Sequence, residues 1–332
     1  MLFSEFLAPF AAPEAMHIPD GFLSAPVAIV MWIATGAFVV LAIRRASRDF
    51  DERMVPLMGV LAAFIFAAQA FNFPVAGGTS GHFLGGALAA ILLGPWAGLL
   101  IMTAVIALQA LIFQDGGLLA MGANIFVMGI VTVWIGYFTY QLLMKWNRYL
   151  AAFLAGWLSV VVASVVTAFL LALSGTASLV VVLAAMATVH IFIGIGEGLI
   201  TAAAVALVAA ALPGMFGQQM SERKTDRGTL VAGGLILAIV VGVMAVFFAS
   251  SSPDGLERVA EDTGFLGAAR GPLFNIAPDY LLPGVNSEAL AAVLAVVLGV
   301  LLLFAVGYGI ARALQRRSRR SADASSTGLH TD

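Results

Sequence analysis

Histidine is scarce in this chain, with four in 332 residues. His330 lies in the tail, but two others sit in short loops rich in turn-forming residues. His17 belongs to Met16-His17-Ile18-Pro19-Asp20-Gly21 and His82 to Gly77-Gly78-Thr79-Ser80-Gly81-His82. A free α-amine at Met16 would make Met16-His17 a chelator. The amine, the deprotonated amide nitrogen of His17 and its imidazole Nδ1 close fused five- and six-membered rings on one divalent ion. Three nitrogens in a plane leave a fourth position, which the His82 imidazole can fill. An all-nitrogen tetragonal set suits Ni(II) or Cu(II), and Co(II) can accept it. The chain has no cysteine, so any metal site must use nitrogen and oxygen donors. Each histidine also has a structural reading: His17 as an ordinary loop residue, and His82 as a polar residue at a helix start that Thr79 or Ser80 could cap.

Six polar residues fall on loops or helix ends on the same side: Asp20, Asn72, Ser80, Gln114, Asp115 and Asn124. They either surround the histidines as hydrogen-bond partners or pin loops together. His190 and Glu197 are different. Seven residues apart, they share one face of an apolar helix, and His190 lies ~18 Å in from Ser178 at the helical rise. Ionisable groups at that depth are costly and face a bundle interior. Their distance from the loop histidines favours helix–helix hydrogen bonding, or coupling to a membrane partner, over a second stop on a metal path.

The elements that must position these residues are transmembrane helices. The chain is 61% hydrophobic and 10% charged, with a mean hydropathy of +1.03, whereas soluble domains carry about 25% charged residues. Apolar runs long enough to cross a ~30 Å hydrocarbon core recur throughout. The expected fold is all-α and polytopic, with spans at 26–43, 55–71, 96–113, 118–144, 149–173, 178–212, 229–249 and 288–311. A shorter apolar segment, 83–93, stops at the helix-breaking Gly94-Pro95. Threading the spans with the N-terminus outside places 14 of the 16 Lys and Arg residues on one face, leaving Arg258 and Arg270 opposite. The positive-inside rule makes that face cytoplasmic. The expected location is therefore the cell membrane, with His17, His82, Asp115 and the 250–287 loop outside and the C-terminus inside.

Residues 1–15 lack the basic n-region of a secretory signal. They are read as a leader removed before Met16 or, preferably, as preceding a true start at Met16. Residues 16–212 form the bundle. Residues 213–228 are a polar cytoplasmic linker, 229–314 a two-helix segment around the 250–287 loop, and 315–332 a basic, then Ser-rich tail expected to be disordered. No G-x-x-x-x-G-K-[ST] and no H-E-x-x-H occurs, so uphill transport would draw its energy from a partner. Nothing points to nucleic acid.

The segments MHIPDGFLS, FNFPVAGGTSGHFLGG, FQDGGLLAMGANIF and HIFIGIGEGLIT, in that order over roughly residues 16–212, resemble the substrate-specific membrane component of cobalt/nickel energy-coupling factor transporters, the CbiM/NikM family. The resemblance implies a seven-helix S component and a Ni(II) or Co(II) substrate held by Met16, His17 and His82. It also implies partners: a transmembrane coupling protein, two cytoplasmic ATPase subunits and the lipid bilayer. SSSPDGLERVAEDTGF, at 250–265, resembles the PDGLE segment of the small accessory component, so the chain reads as a fusion of the two. The alternatives from other classes are a membrane metalloenzyme, with Asp20 or Asp115 as base, and a metal-free helical scaffold.

Overall fold

A computed structural model describes residues 17–48, 51, 54–212, 227–274 and 276–327. Met16, the 1–15 extension and the 213–226 part of the linker lie outside the described residues.

Among the described residues the regular structure is helical apart from one small hairpin. The bundle comprises α1 (Ala25–Ala46), α2 (Met54–Gln69), α3 (Gly86–Leu93), α4 (Pro95–Phe113), α5 (Met121–Leu143), α6 (Arg148–Leu173) and α7 (Leu179–Ala211). Between α2 and α3, β1 (Phe73–Val75) and β2 (Thr79–Gly81) pair antiparallel, with Ser80 opposite Pro74. Beyond the linker come α8 (Arg227–Phe248), the short loop helix α9 (Gly255–Thr263) and α10 (Glu288–Thr327). Among the described residues, α1, α4, α5, α6, α7, α8 and α10 are long and apolar enough to cross a membrane.

The breaks follow the sequence. Gly94 adopts a positive φ that ends α3, and Pro95 opens α4 in its first turn, where a missing N–H costs nothing. Two π segments interrupt α-geometry, Gln109–Phe113 at the end of α4 and Ile125–Val131 within α5. Such wide turns often lie beside functional sites, and here they flank the loop that carries Asp115.

The two-helix segment is not a loose appendage. α8 and α10 both pack on α2, which is buried along nearly its whole length. Close approach explains the small residues at this seam: a Cβ at Gly299 would lie 2.3 Å from the Phe66 ring, and one at Gly59 would lie 3.0 Å from Phe304. The tail departs from expectation. α10 continues through the basic stretch to Thr327, because Gln315 to Ser326 contains neither Gly nor Pro and includes the strong helix formers Arg and Ala. Ser318 Oγ donates to the Arg48 carbonyl at 3.5 Å, so two of the basic segments meet at one end of the molecule.

Candidate metal centre

His17 follows directly on the segment outside the described residues and is drawn inward by its neighbours. The Ile18 amide donates to Asn124 Oδ1 and the Asn124 amide returns a bond to the Ile18 carbonyl, both at 3.0 Å. The Gly117 amide donates a second bond to that carbonyl at 3.0 Å. Asp20 accepts from the backbone amides of Leu118 and Ala120 at 3.1 and 3.0 Å. The loop between α4 and α5 can lie this close because it carries Gly116-Gly117. A Cβ on Gly116, at φ +92°, would sit 2.7 Å from the His17 Cβ, and one on Gly117 would sit 2.1 Å from Asp20 Oδ1. Asp115 precedes these glycines and projects onto the histidine.

His17 is buried, and its Nδ1 lies 2.6 Å from Asp115 Oδ1. The other Asp115 oxygen accepts from the Tyr280 hydroxyl at 2.6 Å, and the Gln109 amide donates to the Tyr280 oxygen at 3.2 Å. With Tyr280 donating, Asp115 acts as acceptor and His17 Nδ1 is the donor. His17 Nε2 is buried and has no hydrogen-bond partner among the described residues. The His82 ring stands edge-on to His17, with centroids 5.9 Å apart. Both rings line a cavity of about 60 Å³, room for an ion and a few waters.

Electrostatics separates the two rings. Burial alone would depress His17, but the adjoining Asp115 carboxylate raises its pKa above the ordinary value. Burial would likewise raise Asp115, but His17 and the Tyr280 hydroxyl hold it below the usual carboxylate range. The two form a buried ion pair. His82 has no carboxylate bonded to it, and burial, with His17 beside it, lowers it to about 4. It therefore presents a neutral imidazole at neutral pH, the form that binds metal.

The structure separates the remaining polar residues clearly. Asp115 touches His17, and Asn124 lines the cavity while pinning Ile18. Asp20 is committed to the backbone of the 117–120 loop. Ser80 belongs to the hairpin, its amide donating to the Pro253 carbonyl and its hydroxyl to the Ser252 carbonyl, both at 2.8 Å. Asn72 accepts at its backbone carbonyl from the Ser250 amide at 2.8 Å. Gln114 closes the π segment in a left-handed conformation, its amide on the Ile112 carbonyl at 3.1 Å.

One sequence expectation needs correction. His190 is not remote: it lines the same cavity as His17 and His82, because the cavity is recessed between α6 and α7 rather than perched on the loops. It bonds through Nδ1 to the Met186 carbonyl at 2.8 Å. The chelate expected from the sequence uses Nδ1 of His17, which is bonded to Asp115 here. Glu197 takes the structural role, accepting from the Leu84 and Gly85 amides at 2.6 and 2.9 Å and so holding the start of α3.

Sequence reasoning missed Asp254 and Tyr280. Both come from the accessory loop. Asp254 lies on the cavity wall, caps α9 through the Glu257 amide at 2.7 Å, and is raised to about 7 by burial. The Asp254-Gly-Leu-Glu257 pattern signals a helix start, but not what it packs against. Tyr280 carried no signal, since only the fold brings it across 165 residues to Asp115. Among the described residues no three His, Asp or Glu side chains surround one point. The two imidazoles need further donors to complete a coordination sphere.

Fold and site together define a multi-pass membrane protein of the metal-transport class. Residues 17–215 match the family described as the cobalt uptake substrate-specific transmembrane region, CbiM, and residues 228–316 match the PDGLE domain. The chain belongs to the CbiM family and carries a PDGLE domain after it. It is 37% identical over 301 residues to a putative fused nickel transport protein, NikMN, of Archaeoglobus fulgidus, covering 90% of this chain and 98% of that one. It is 29% identical over 348 residues to the fused nickel transport protein NikMN of Rhodobacter capsulatus, covering 92% and 100%. A crystal structure of a truncated transition metal transporter superposes with a TM-score of 0.55 at 34% identity, covering 59% of this chain and 99% of that one.

Proposed function

We propose that this chain is the substrate-capture component of an ATP-driven nickel or cobalt importer. The ion is taken from outside the cell by Met16, His17 and His82. The observation that carries this reading is the imidazole pair at the loop end of the bundle, a buried His17 and a half-buried, neutral His82 with ring centroids 5.9 Å apart. A chain that begins at Met16 adds the α-amine and the His17 amide nitrogen, completing a planar four-nitrogen set that suits Ni(II) and accepts Co(II). The names of the fused relatives lean toward nickel. Loading then exchanges Asp115 for the ion at His17 Nδ1, since one nitrogen cannot hold both a proton for Asp115 and a metal. The ion is the cargo, and the energy comes from two ATPase subunits acting through a transmembrane coupling protein. The N-terminus and the metal site face outward, and the basic C-terminal helix faces the cytoplasm.

The test is uptake of nickel and cobalt by cells carrying the partner subunits, with His17→Ala and His82→Ala alongside. Both variants should lose accumulation while still reaching the membrane. Normal uptake in both would refute the site. N-terminal sequencing of the active protein should read Met-His-Ile, and a mature chain that begins at Met1 would end the chelate proposal.

A further inference from the structure

Tyr280 belongs to the PDGLE domain, yet its hydroxyl ends on the one carboxylate that holds His17. Its placement is built rather than incidental. The backbone of Asp279 and Tyr280 lies in the left-handed region, φ +54° and +57°, a conformation that is strained for non-glycine residues. The ring stacks on Phe113 at 4.7 Å with an interplanar angle of 9° and is 2% exposed. The stack fixes the ring, and the hydroxyl then has Asp115 and Gln109 as its partners.

Resting on the capture reading above, we infer that Tyr280 is a positioning residue for metal loading. When His17 leaves Asp115 for the ion, a buried carboxylate loses a donor. An uncompensated charge at such a site is strongly unfavourable. Tyr280 is a donor that stays. It keeps Asp115 hydrogen-bonded and in place while His17 turns to the ion, and it returns Asp115 to His17 when the ion departs. The bundle can complete this exchange only with the accessory loop docked, which gives the fusion of the two segments a chemical reason. The loop reaches the site through further backbone contacts of the same kind: Ser80 to Pro253, Asn72 to Ser250, and Arg270, whose amide donates to the Asp20 carbonyl at 2.7 Å.

The experiment is Tyr280→Phe in the full chain, purified with its N-terminus sequenced and titrated with Ni(II). Phenylalanine keeps the stack and removes the hydroxyl. Affinity should fall by about tenfold or more, the usual effect of losing an outer-shell partner. The unfolding temperature of the metal-free protein should fall modestly, because Asp115 and the Gln109 amide lose the hydroxyl, while the increment gained on adding nickel should shrink beyond that fall. Combined with Asp115→Asn, the tyrosine change should cost nothing further, because it acts through that carboxylate. A Tyr280→Phe protein that binds nickel as the unaltered chain does, or a loss that persists in full in the Asp115→Asn background, overturns the inference. His17→Ala and His82→Ala serve as controls for the reading beneath it. If they still bind nickel, the site itself is wrong. If they do not and Tyr280→Phe is silent, only the role of Tyr280 falls.

Discussion

Glu197 and Asp115 are both buried carboxylates, one beneath the start of α3 and the other in the loop cluster between α4 and α5. Glu197 spends its two oxygens on backbone amides, those of Leu84 and Gly85. Asp115 spends its two on side chains, His17 and Tyr280. A carboxylate bound to main chain builds architecture, because its partners cannot leave without unfolding a turn. One bound to side chains can change partners by a rotation. The region around Glu197 is therefore scaffold, and the region around Asp115 is where, on the proposed reading, the ion would exchange with a proton.

Breaking Glu197 should give the largest effect on stability. Glu197→Ala strands two buried amides, at about 1–3 kcal/mol each, and should sharply lower the yield of folded protein and its unfolding temperature. Glu197→Gln keeps a carbonyl acceptor and should recover much of the loss. Should Glu197→Ala fold normally and lose only transport, Glu197 would belong with the exchanging groups and the contrast would collapse.

Gly116→Ala tests the other region. It forces an alanine into a positive φ and a Cβ to within 2.7 Å of the His17 Cβ. The backbone strain is about 1–3 kcal/mol, which the bundle survives, but His17 must move. Capture should fall nearly as far as in His17→Ala while the protein remains in the membrane. Nickel titration beside a thermal melt separates the two consequences.

Asp115→Asn sharpens the comparison through pH. His17 is raised by Asp115, so below its elevated pKa a proton competes with the ion, and affinity should rise with pH through that range. His82, lowered to about 4, competes only in strong acid. Stability of the metal-free protein runs the opposite way. A raised folded pKa stabilises below the unfolded value and loses that stabilisation as pH rises through the folded one. Asparagine removes the charge that raises His17, so the ratio of nickel affinity at pH 8 to that at pH 6 should shrink. An unchanged ratio would detach Asp115 from the titration of the site.

Much of this was legible in the sequence, and what was hidden follows a pattern. The spans, the Gly94-Pro95 break and the pairing of His17 with His82 on one side came from local patterns and charge placement, which are properties of contiguous residues. The depth of the cavity was not local. Counting along α7 placed His190 deep in the membrane, but could not show that the loops dip to meet it. Likewise, polar residues near the histidines looked alike until the fold ranked them: Asp115 on the imidazole, and Asp20 and Ser80 on backbone. Tyr280 had to be invisible, since its role depends on the packing of α8 and α10 along α2, two helices whose mutual register no motif states. The basic tail misled for the converse reason. Charge density suggested disorder, whereas helix propensity and continuity with α10 carried the helix on.

The smallest effect should come from Ser80→Ala, and its smallness is informative. The Ser80 hydroxyl donates to the Ser252 carbonyl, while its backbone amide separately holds the Pro253 carbonyl. Removing the hydroxyl leaves the amide bond in place, so the change should cost about 1 kcal/mol and shift nickel affinity by less than Tyr280→Phe does. Both residues tie the accessory loop to the bundle, but only Tyr280 ends on a group that must change partners. If docking strength alone governed capture, two substitutions that each delete a hydroxyl bridging that seam would weaken binding alike. If the identity of the partner governs it, as the contrast between Asp115 and Glu197 implies, then Ser80→Ala should loosen the loop, measurable as faster hydrogen exchange at the 250–255 amides, with affinity scarcely moved.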